Sequence, residues 1–278
     1  MKLLFVGGDK RTLLLAGMLK KDGYEVSTLG LREGDETRKD FSSADVILFP
    51  YPFAVKGGCV PALNGMTIHP EDVLEKACAG CLLLAGRGLE PYALAEERMP
   101  KCFRLRKYEQ DAELLERNAD ISAEAAVFET MQRSDRTIAG MRILVTGYGL
   151  FGCALAHRLK AFGAQVWVAA RRGEVRRQAQ DDGMHAISLQ QIRQIAGQMD
   201  MLLNTVPARI IDEDTLQAFR QGTWLLELAS APYGFDRDAA AALGCRCDVL
   251  PALPARYAPV SAADALRGTV SRWLKEAE

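Results

Sequence analysis

Short apolar runs alternate along this chain with longer stretches in which apolar residues recur at helical spacing. In the first part, runs that predict strands cover residues 2–6, 24–28, 45–50, 81–85 and about 102–105. Helical spacing covers residues 11–21 and 71–78, and a short helix begins at Pro91. Regular alternation of strand and helix is typical of an α/β domain with a parallel sheet.

The same alternation resumes in the second part of the chain. Apolar runs there cover residues 142–146, 165–170, 184–187, 200–207, 223–229 and 245–250. Residues 109–137 read as a helix that joins the two parts, with residues 118–120 as the place where it would break. We therefore predict an α/β protein of two Rossmann-like domains with parallel sheets, joined by inter-domain helices and with a cleft between them.

The predicted domain boundary follows residue 120. Residues 1–120 form an N-terminal Rossmann-like domain for substrate or partner, and residues 121–278 form the nucleotide domain. The second domain then includes a linker helix over 121–138 and a C-terminal return helix over 261–278. Because apolar residues recur along this last helix at helical spacing, we expect it to pack back against the first domain or the hinge.

A glycine turn follows the first strand of the second domain. Gly147, Gly149 and Gly152 have the G-x-G-x-x-G spacing between a buried strand and a helix. The first glycine makes the turn, the second admits a pyrophosphate and the third lets helix and strand pack closely, while the helix N-terminus attracts the phosphates. Cofactor contacts are predicted for all six residues of the turn, which adds Tyr148, Leu150 and Phe151. The alternative is a glycine turn that binds nothing.

The residues after the second strand of this domain indicate which nucleotide binds. An NAD-type site has an acidic residue there that binds the ribose 2′-hydroxyl, whereas this chain has Arg171 and Arg172. Two guanidinium groups suit a 2′-phosphate, so the predicted cofactor is NADP(H). The alternative is a solvated basic turn.

Two later strand ends lie at the edge where an open α/β sheet places its ligands. The cofactor contacts predicted there are Asn204, Thr205, Val206, Pro207, Ala229 and Ser230. The alternative is that both are ordinary strand-to-helix turns.

Composition limits the class of protein. The chain has 278 residues with a net charge of −1, and 49% of them are hydrophobic, which argues against a nucleic-acid or membrane partner. Seven cysteines are an odd number for a disulfide framework, so reduced thiols and a cytoplasmic location are expected. The three histidines are scattered and Cys78 and Cys81 have no second pair, so no metal site is predicted.

These motifs together resemble the A-subunit family of dipicolinate synthases over nearly the whole chain. The residues that carry the resemblance are Gly7–Arg11, Ser122–Ala125, the glycine turn, Ala170–Arg171, the strand ends at 204–207 and 228–230, Leu253–Pro254 and Ala258–Pro259. Departures lie at Ile121–Ser122, at Tyr51–Phe53, at Ala252 and Ala255, where the family has glycines, and at Ser261–Ala263.

The resemblance implies an oxidoreductase of spore-forming bacteria. It would oxidise a dihydrodipicolinate, formed from a lysine-pathway intermediate, to dipicolinate with NADP+ as hydride acceptor, in the cytoplasm of the mother cell. Expected partners are the dicarboxylate substrate and the flavoprotein-like B-subunit of dipicolinate synthase. A second copy of this chain is a further candidate partner, which the resemblance does not imply. Leu253 and Pro254 would join the cofactor site.

The same resemblance, combined with side-chain chemistry, gives a substrate site. Gly8, Asp9, Arg11 and Ser122 are predicted to bind substrate, with Arg11 as the first cationic clamp for a carboxylate and Glu124 as the base. Further candidate clamps are Lys56, Arg87, Arg209 and Arg256. The alternatives are solvated surface charges and, for Glu124, a capping carboxylate at a helix N-terminus.

Other functions stay open at this point. A 2-hydroxyacid dehydrogenase would need a late histidine paired with a carboxylate, and no histidine follows His185. A shikimate-type enzyme would need a catalytic lysine and aspartate motif in the first domain, and none is recognisable. A non-catalytic NADP-binding protein that serves as scaffold or sensor is the alternative from another class.

Overall fold

The chain divides into two units, each built on its own parallel sheet. The computed structural model describes residues 1–35, 42–53, 57–93 and 103–277. Unit 1 contains Met1–Asn118 together with Ala258–Glu278, and unit 2 contains Ala119–Tyr257. In the described part of the chain, no helix combines the length and apolar character needed to cross a membrane.

Unit 1 is built on a five-stranded parallel sheet in the order β2-β1-β3-β4-β5. Its strands are β1 (Lys2–Val6), β2 (Glu25–Leu29), β3 (Val46–Leu48), β4 (Leu82–Ala85) and β5 (Arg104–Lys107). Its helices include α1 (Lys10–Lys21), α2 (Pro70–Lys76) and α3 (Glu90–Ala93). The central strands are buried on both faces, which explains why they read as unbroken apolar runs.

Unit 2 contains a six-stranded parallel sheet in the order β11-β10-β9-β6-β7-β8. Its strands are β6 (Arg142–Thr146), β7 (Gln165–Ala169), β8 (His185–Ile187), β9 (Met201–Asn204), β10 (Trp224–Glu227) and β11 (Arg246–Val249). Its helices include α5 (Leu150–Ala161), α6 (Gly173–Asp181), α7 (Ile192–Ile195), α8 (Glu213–Leu216), α9 (Arg237–Ala242) and α10 (Leu253–Tyr257). This is the strand order of a dinucleotide-binding Rossmann sheet, and the order reverses between β6 and β9. The predicted α/β class and the two parallel sheets are confirmed.

The helix that joins the units, α4 (Ala112–Arg133), is continuous. The predicted break near residues 118–120 does not occur. Asn118 and Asp120 have low helix propensity, but buried alanines at 119, 123 and 126 lie at spacings of four and three residues and anchor the helix along one side.

The last helix, α11 (Pro259–Lys275), is part of unit 1, although the predicted boundary assigned its residues to the second domain. Its buried face includes Leu266, Val270 and Leu274, which share a core cluster with Leu15 and Leu19 of α1. The helix therefore completes the unit 1 core, because its apolar face is buried there.

Candidate functional site

Two glycines of the turn in unit 2 let α5 pack closely on the sheet. Gly147 follows β6 with φ +86°, and a Cβ there would lie 2.8 Å from Thr205 Oγ1. A Cβ on Gly152 would lie 2.4 Å from the carbonyl oxygen of Gly147. Both positions are too crowded for any side chain, as the predicted fingerprint requires.

The middle glycine has a different environment. Gly149 is the residue before α5, with ordinary φ −79°, and a Cβ there would meet nothing within 4 Å. Since the first amides of a helix have no partner within the helix, Leu150 and Phe151 offer backbone donors beside this open space. The turn leaves room where a pyrophosphate would approach the backbone.

A cavity of about 320 Å³ adjoins the turn. Its lining includes six of the predicted cofactor residues, namely Gly147, Tyr148, Gly149, Arg171, Arg172 and Val206. Sequence reasoning missed the other six, namely Ala169, Ala170, Val175, Leu189, Ala208 and Ile210. They are apolar residues from the end of β7, from loops and from helices, and only Ala170 belongs to a motif that the sequence analysis used. Together they give the cavity an apolar wall suited to a planar base.

The arginines of the predicted 2′-phosphate site are both exposed. Arg172 is paired with Glu174 at 3.1 Å. Arg176, which the motif did not predict, donates to the carbonyl oxygens of Ala170 at 2.9 Å and Arg171 at 2.7 Å. Arg176 therefore fixes the backbone of the turn, and the Arg171 side chain borders the cavity.

Beneath the glycine turn, three buried polar side chains form a network. Thr146 donates to Asn204 Oδ1 at 2.5 Å, and Asn204 Nδ2 donates to Glu227 Oε1 at 2.6 Å. Thr205 Oγ1 donates to the carbonyl oxygen of Thr146 at 2.7 Å. Asn204 and Thr205 thus support the turn from below at the point where the sheet order reverses. The sequence places Glu227 at the start of the second of the two later strand ends but predicts no role for its side chain, because a lone acidic residue in an apolar run carries no motif.

The other predicted cofactor residues have mixed surroundings. Pro207 and Ser230 are exposed in loops at the carboxyl edge of the sheet. The Ala229 amide donates to Glu227 Oε1 at 3.0 Å. Leu253 and Pro254 are buried in α10, where Leu253 joins the core of unit 2, so both side chains serve packing there.

In unit 1, the predicted substrate residues lie after β1. Asp9 caps α1 by accepting from the Arg11 amide at 2.9 Å. The Arg11 guanidinium also contacts the Asp9 carboxylate, with Nη2 to Oδ2 at 2.7 Å, and Arg11 is only 4% exposed. The Gly8 amide donates to the Pro61 carbonyl at 2.6 Å. Asp9 therefore already neutralises part of the Arg11 charge, and the Gly8 amide holds the loop.

Three further polar residues follow neighbouring strands of this sheet. Tyr51 follows β3, Arg87 follows β4 and Glu109 follows β5, and the Arg87 amide donates to Glu109 Oε1 at 2.8 Å. Burial and the Glu109 charge raise the pKa of Tyr51, while the positive charges of Arg11 and Arg87 oppose that rise. Glu109 Oε2 is buried without a hydrogen-bond partner. The carboxyl edge of unit 1 therefore brings two arginines, a neutral phenol and an unsatisfied carboxylate oxygen together.

The predicted base and its neighbour lie on α4. Glu124 is exposed in the middle of this helix and not at its start, because the helix has no break. Ser122 is buried, and two residues along a helix turn the side chain by about 200°. The buried carboxylate of α4 is instead Glu129, which is paired with Arg133 and accepts from the Tyr257 hydroxyl.

The other candidate clamps are separated in the fold. Arg209 is paired with Asp236 at 3.5 Å, and Arg256 lies 3.6 Å from Glu129. Lys56 falls outside the described residues. Among the described candidates, Arg87 is the one that acts on the same residue as Arg11. The positive charges of both arginines work to lower the pKa of Tyr51.

The geometry of unit 2 fits a nicotinamide dinucleotide. Gly149 leaves open space at a helix N-terminus, and the adjoining cavity has an apolar wall and a basic rim. A Rossmann sheet with this turn is the architecture of oxidoreductases that bind a nicotinamide nucleotide.

Comparison with known proteins shows which nicotinamide-nucleotide proteins this chain is similar to. Residues 2–96 match the N-terminal domain of the dipicolinate synthase A-subunit, and residues 112–243 match the NAD binding domain of D-isomer specific 2-hydroxyacid dehydrogenases. The dipicolinate synthase A-subunit of Bacillus subtilis (strain 168) is 26% identical over 292 residues, which cover 99% of this chain and 96% of the relative. Over its full length the chain is thus similar to this protein, and the predicted resemblance is confirmed.

Solved structures show the same fold. The crystal structure of the dipicolinate synthase A-subunit from Bacillus halodurans matches with TM-score 0.86 and 24% identity, covering 98% of this chain and 97% of that one. The corresponding dipicolinate synthase structure from Bacillus subtilis matches with TM-score 0.85 and 24% identity, covering 99% and 96%. Both units therefore have the architecture of these proteins.

Proposed function

We propose that this protein is an NADP-dependent oxidoreductase that oxidises a dihydrodipicolinate to dipicolinate, as the A-subunit of a dipicolinate synthase. The observation that carries the proposal is the match to such a protein through both units, over 99% of this chain and 96% of the relative. The proposal extends to a partner, the flavoprotein-like B-subunit, to a homo-oligomer, and to the cytoplasm of the mother cell in a sporulating bacterium.

NADP(H) is the proposed nucleotide. β7 ends at Ala169 and is followed by Ala170 and two exposed arginines, so the strand end offers no carboxylate for a bare ribose 2′-hydroxyl. Arg171 borders the cavity and would bind a 2′-phosphate, while the turn and the first amides of α5 would hold the pyrophosphate.

The bound nucleotide would supply the hydride acceptor. The substrate would lose a hydride to NADP+ and a proton to a base, and the aromatic ring of the product makes the oxidation favourable. Arg11 and Arg87 are the proposed carboxylate clamps, because guanidinium groups bind carboxylates in a bidentate manner. Glu124 remains the proposed base, with Ser122 beside it in sequence, on the family resemblance and the need for a base near the ring.

A second candidate is a 2-hydroxyacid dehydrogenase, which the match of residues 112–243 favours. That reaction needs a base for a hydroxyl proton, commonly histidine. His185, the last histidine in the chain, stacks on Trp167 at the outer part of the sheet, 4.6 Å between ring centroids. The dihydrodipicolinate reaction is the better supported of the two because it does not need a histidine.

The test is a fluorescence titration of the purified chain with NADPH and NADH, with and without dipicolinate. Trp167 lies on β7, two residues before the strand end that borders the cavity, and is a suitable reporter. We expect NADPH to bind more tightly than NADH and dipicolinate to strengthen NADPH binding. Nucleotide binding without any response to dipicolinate would contradict the substrate. Absence of nucleotide binding would contradict the enzyme and favour the scaffold alternative.

A further inference from the structure

Three side chains of metal-binding type lie together beside α5 in unit 2, and none of the three lines the cavity, although their neighbour Tyr148 does. Cys153 and His157 are four residues apart on α5, so their side chains share one face of the helix. Asp182 follows α6 and reaches the same place from another part of the chain. Among the described residues, this is the one group of three or more cysteine, histidine and acidic side chains placed to share an ion.

The spacing of the three donors suits a small divalent cation. Their ligand atoms lie within 4.8 Å of one another, and His157 Nε2 lies 3.4 Å from Asp182 Oδ2. A tetrahedral zinc ion with bonds of about 2.0–2.3 Å separates its ligand atoms by roughly 3.3–3.8 Å. Binding therefore needs the ligand atoms to approach one another by at most about 1.5 Å.

We propose that Cys153, His157 and Asp182 form a binding site for a divalent metal ion of the zinc class. A thiolate, an imidazole and a carboxylate are all common zinc ligands, and this mixed set is too soft for magnesium or calcium. Cys153 would lose its proton to the buffer on binding, as thiol ligands do. His157 and Asp182 are partly exposed, which gives the ion a path from solvent and leaves the fourth position to water.

The Tyr148 hydroxyl contacts all three donors, so a bound ion would take its place beside them. Tyr148 donates a 2.7 Å hydrogen bond to Asp182 Oδ2, lies 3.3 Å from His157 Nε2 and forms a hydrogen bond with Cys153, which brings the three side chains together. The Lys160 ammonium donates to the main-chain carbonyl of Asp182 at 2.6 Å and not to its carboxylate. The alternative is a hydrogen-bond cluster centred on Tyr148 that binds no metal.

A second cysteine–histidine contact in the chain provides a matched control. Cys59 Sγ lies 3.8 Å from His69 Nδ1, but this pair belongs to no group of three ligands among the described residues. Two ligands bind zinc more weakly than three. The site at Cys153 should therefore account for the tight binding.

The test uses the metal-free full chain, without dipicolinate because that product chelates metals. Zinc chloride is titrated by calorimetry, and cobalt chloride by absorption spectroscopy. We expect one zinc ion to bind tightly to each chain, and bound cobalt to show a thiolate-to-cobalt charge-transfer band. C153S and H157A should each weaken zinc binding by more than about a hundredfold, beyond the 10–100-fold cost of losing an outer-shell partner. H69A should bind as the unsubstituted chain does.

Thermal unfolding without metal checks that each variant is folded, and D182N serves as a conservative third variant. If cobalt binds without a thiolate band, or if folded C153S and H157A retain full zinc affinity, the site is overturned. Loss of tight zinc binding in H69A would overturn the site as well. A folded chain that binds NADPH but no zinc would contradict this inference and leave the proposed function intact.

Discussion

The side-chain amide of Asn204 donates a 2.6 Å hydrogen bond to the buried carboxylate of Glu227, joining the carboxyl ends of neighbouring strands β9 and β10. Glu227 also accepts from the amides of Gly234 at 2.7 Å and Ala229 at 3.0 Å. Burial raises the pKa of Glu227, and these donors oppose that rise. One carboxylate therefore fixes the loops that follow two strands at the edge where the nucleotide is proposed to bind.

The first prediction concerns Asn204→Asp. This change replaces a donor to Glu227 with a second carboxylate, and two adjacent buried carboxylates cannot both ionise at low cost. We expect a loss of about 3 kcal/mol in the free energy of unfolding near pH 8. A proton shared by the two carboxylates would raise their pKa in the folded state. The lost stability should therefore return as the pH falls towards the pKa that a carboxyl group has in the unfolded chain.

Urea unfolding at pH 5 and pH 8 measures this effect. Asn64→Asp, the same change in a loop of unit 1 where the amide donates to the Arg32 carbonyl and not to a carboxylate, is the control and should differ less between the two pH values. A folded Asn204→Asp variant whose stability follows the pH profile of the unsubstituted chain would show that the two side chains do not interact as described.

A second prediction separates the roles of two glycines. A Cβ at Gly149 would meet nothing within 4 Å, whereas one at Gly152 would lie 2.4 Å from a backbone oxygen. Gly149→Ala should therefore change stability by less than about 1 kcal/mol yet weaken NADPH binding at least tenfold, since the methyl group would occupy the space proposed for the pyrophosphate. Gly152→Ala should lower the melting temperature clearly. Equal effects of both changes on stability, or unaltered NADPH binding by Gly149→Ala, would count against this assignment.

Local patterns predicted much of the fold and part of the site. Apolar runs gave the strands because buried parallel strands read continuously, and the glycine spacing located the turn. Asn204 and Glu227 were both placed at strand ends, but the hydrogen bond between them was not predicted, since it depends on which strands lie side by side. The cluster at Cys153 was missed because Asp182 comes from beyond the next strand and helix. Glu124 was placed at a helix start because the burial of alanines along α4 was not visible in the sequence.

A third prediction concerns cofactor choice. Arg171 and Arg172 both border the cavity, but Arg172 is paired with Glu174. Arg171→Ala should weaken NADPH binding about tenfold or more and leave NADH binding nearly unchanged, because only NADPH has the 2′-phosphate. Arg172→Ala is the matched control and should have the smaller effect on the ratio of the two dissociation constants. Equal weakening of both nucleotides by Arg171→Ala would exclude the 2′-phosphate role.

The last prediction concerns how the C-terminal helix is held in unit 1. Asp111 precedes α4 and accepts from the Leu114 amide at 2.9 Å, and Arg272 of α11 donates to the same carboxylate at 2.5 Å. Burial works to raise the pKa of Asp111, but the Leu114 amide and the Arg272 guanidinium outweigh it and hold that pKa below the usual 3.8. The ionised carboxylate therefore stabilises the fold above that pH, and the contribution is lost as the pH falls through the lowered folded-state pKa.

Asp111→Asn keeps an acceptor for Leu114 and removes the charge that Arg272 contacts. We expect a loss of about 1–2 kcal/mol in the free energy of unfolding at pH 7. This lies in the lower part of the range for a hydrogen bond to a charged group, because the Arg272 side chain is 43% exposed. The difference from the unsubstituted chain should shrink below pH 3.8. Asp264→Asn is the matched control, since Asp264 pairs with Arg117 between the same two helices but both side chains are exposed. Its loss in the free energy of unfolding should therefore stay below about 1 kcal/mol. Equal costs for the two variants would mean that burial of Asp111 adds nothing to the pair.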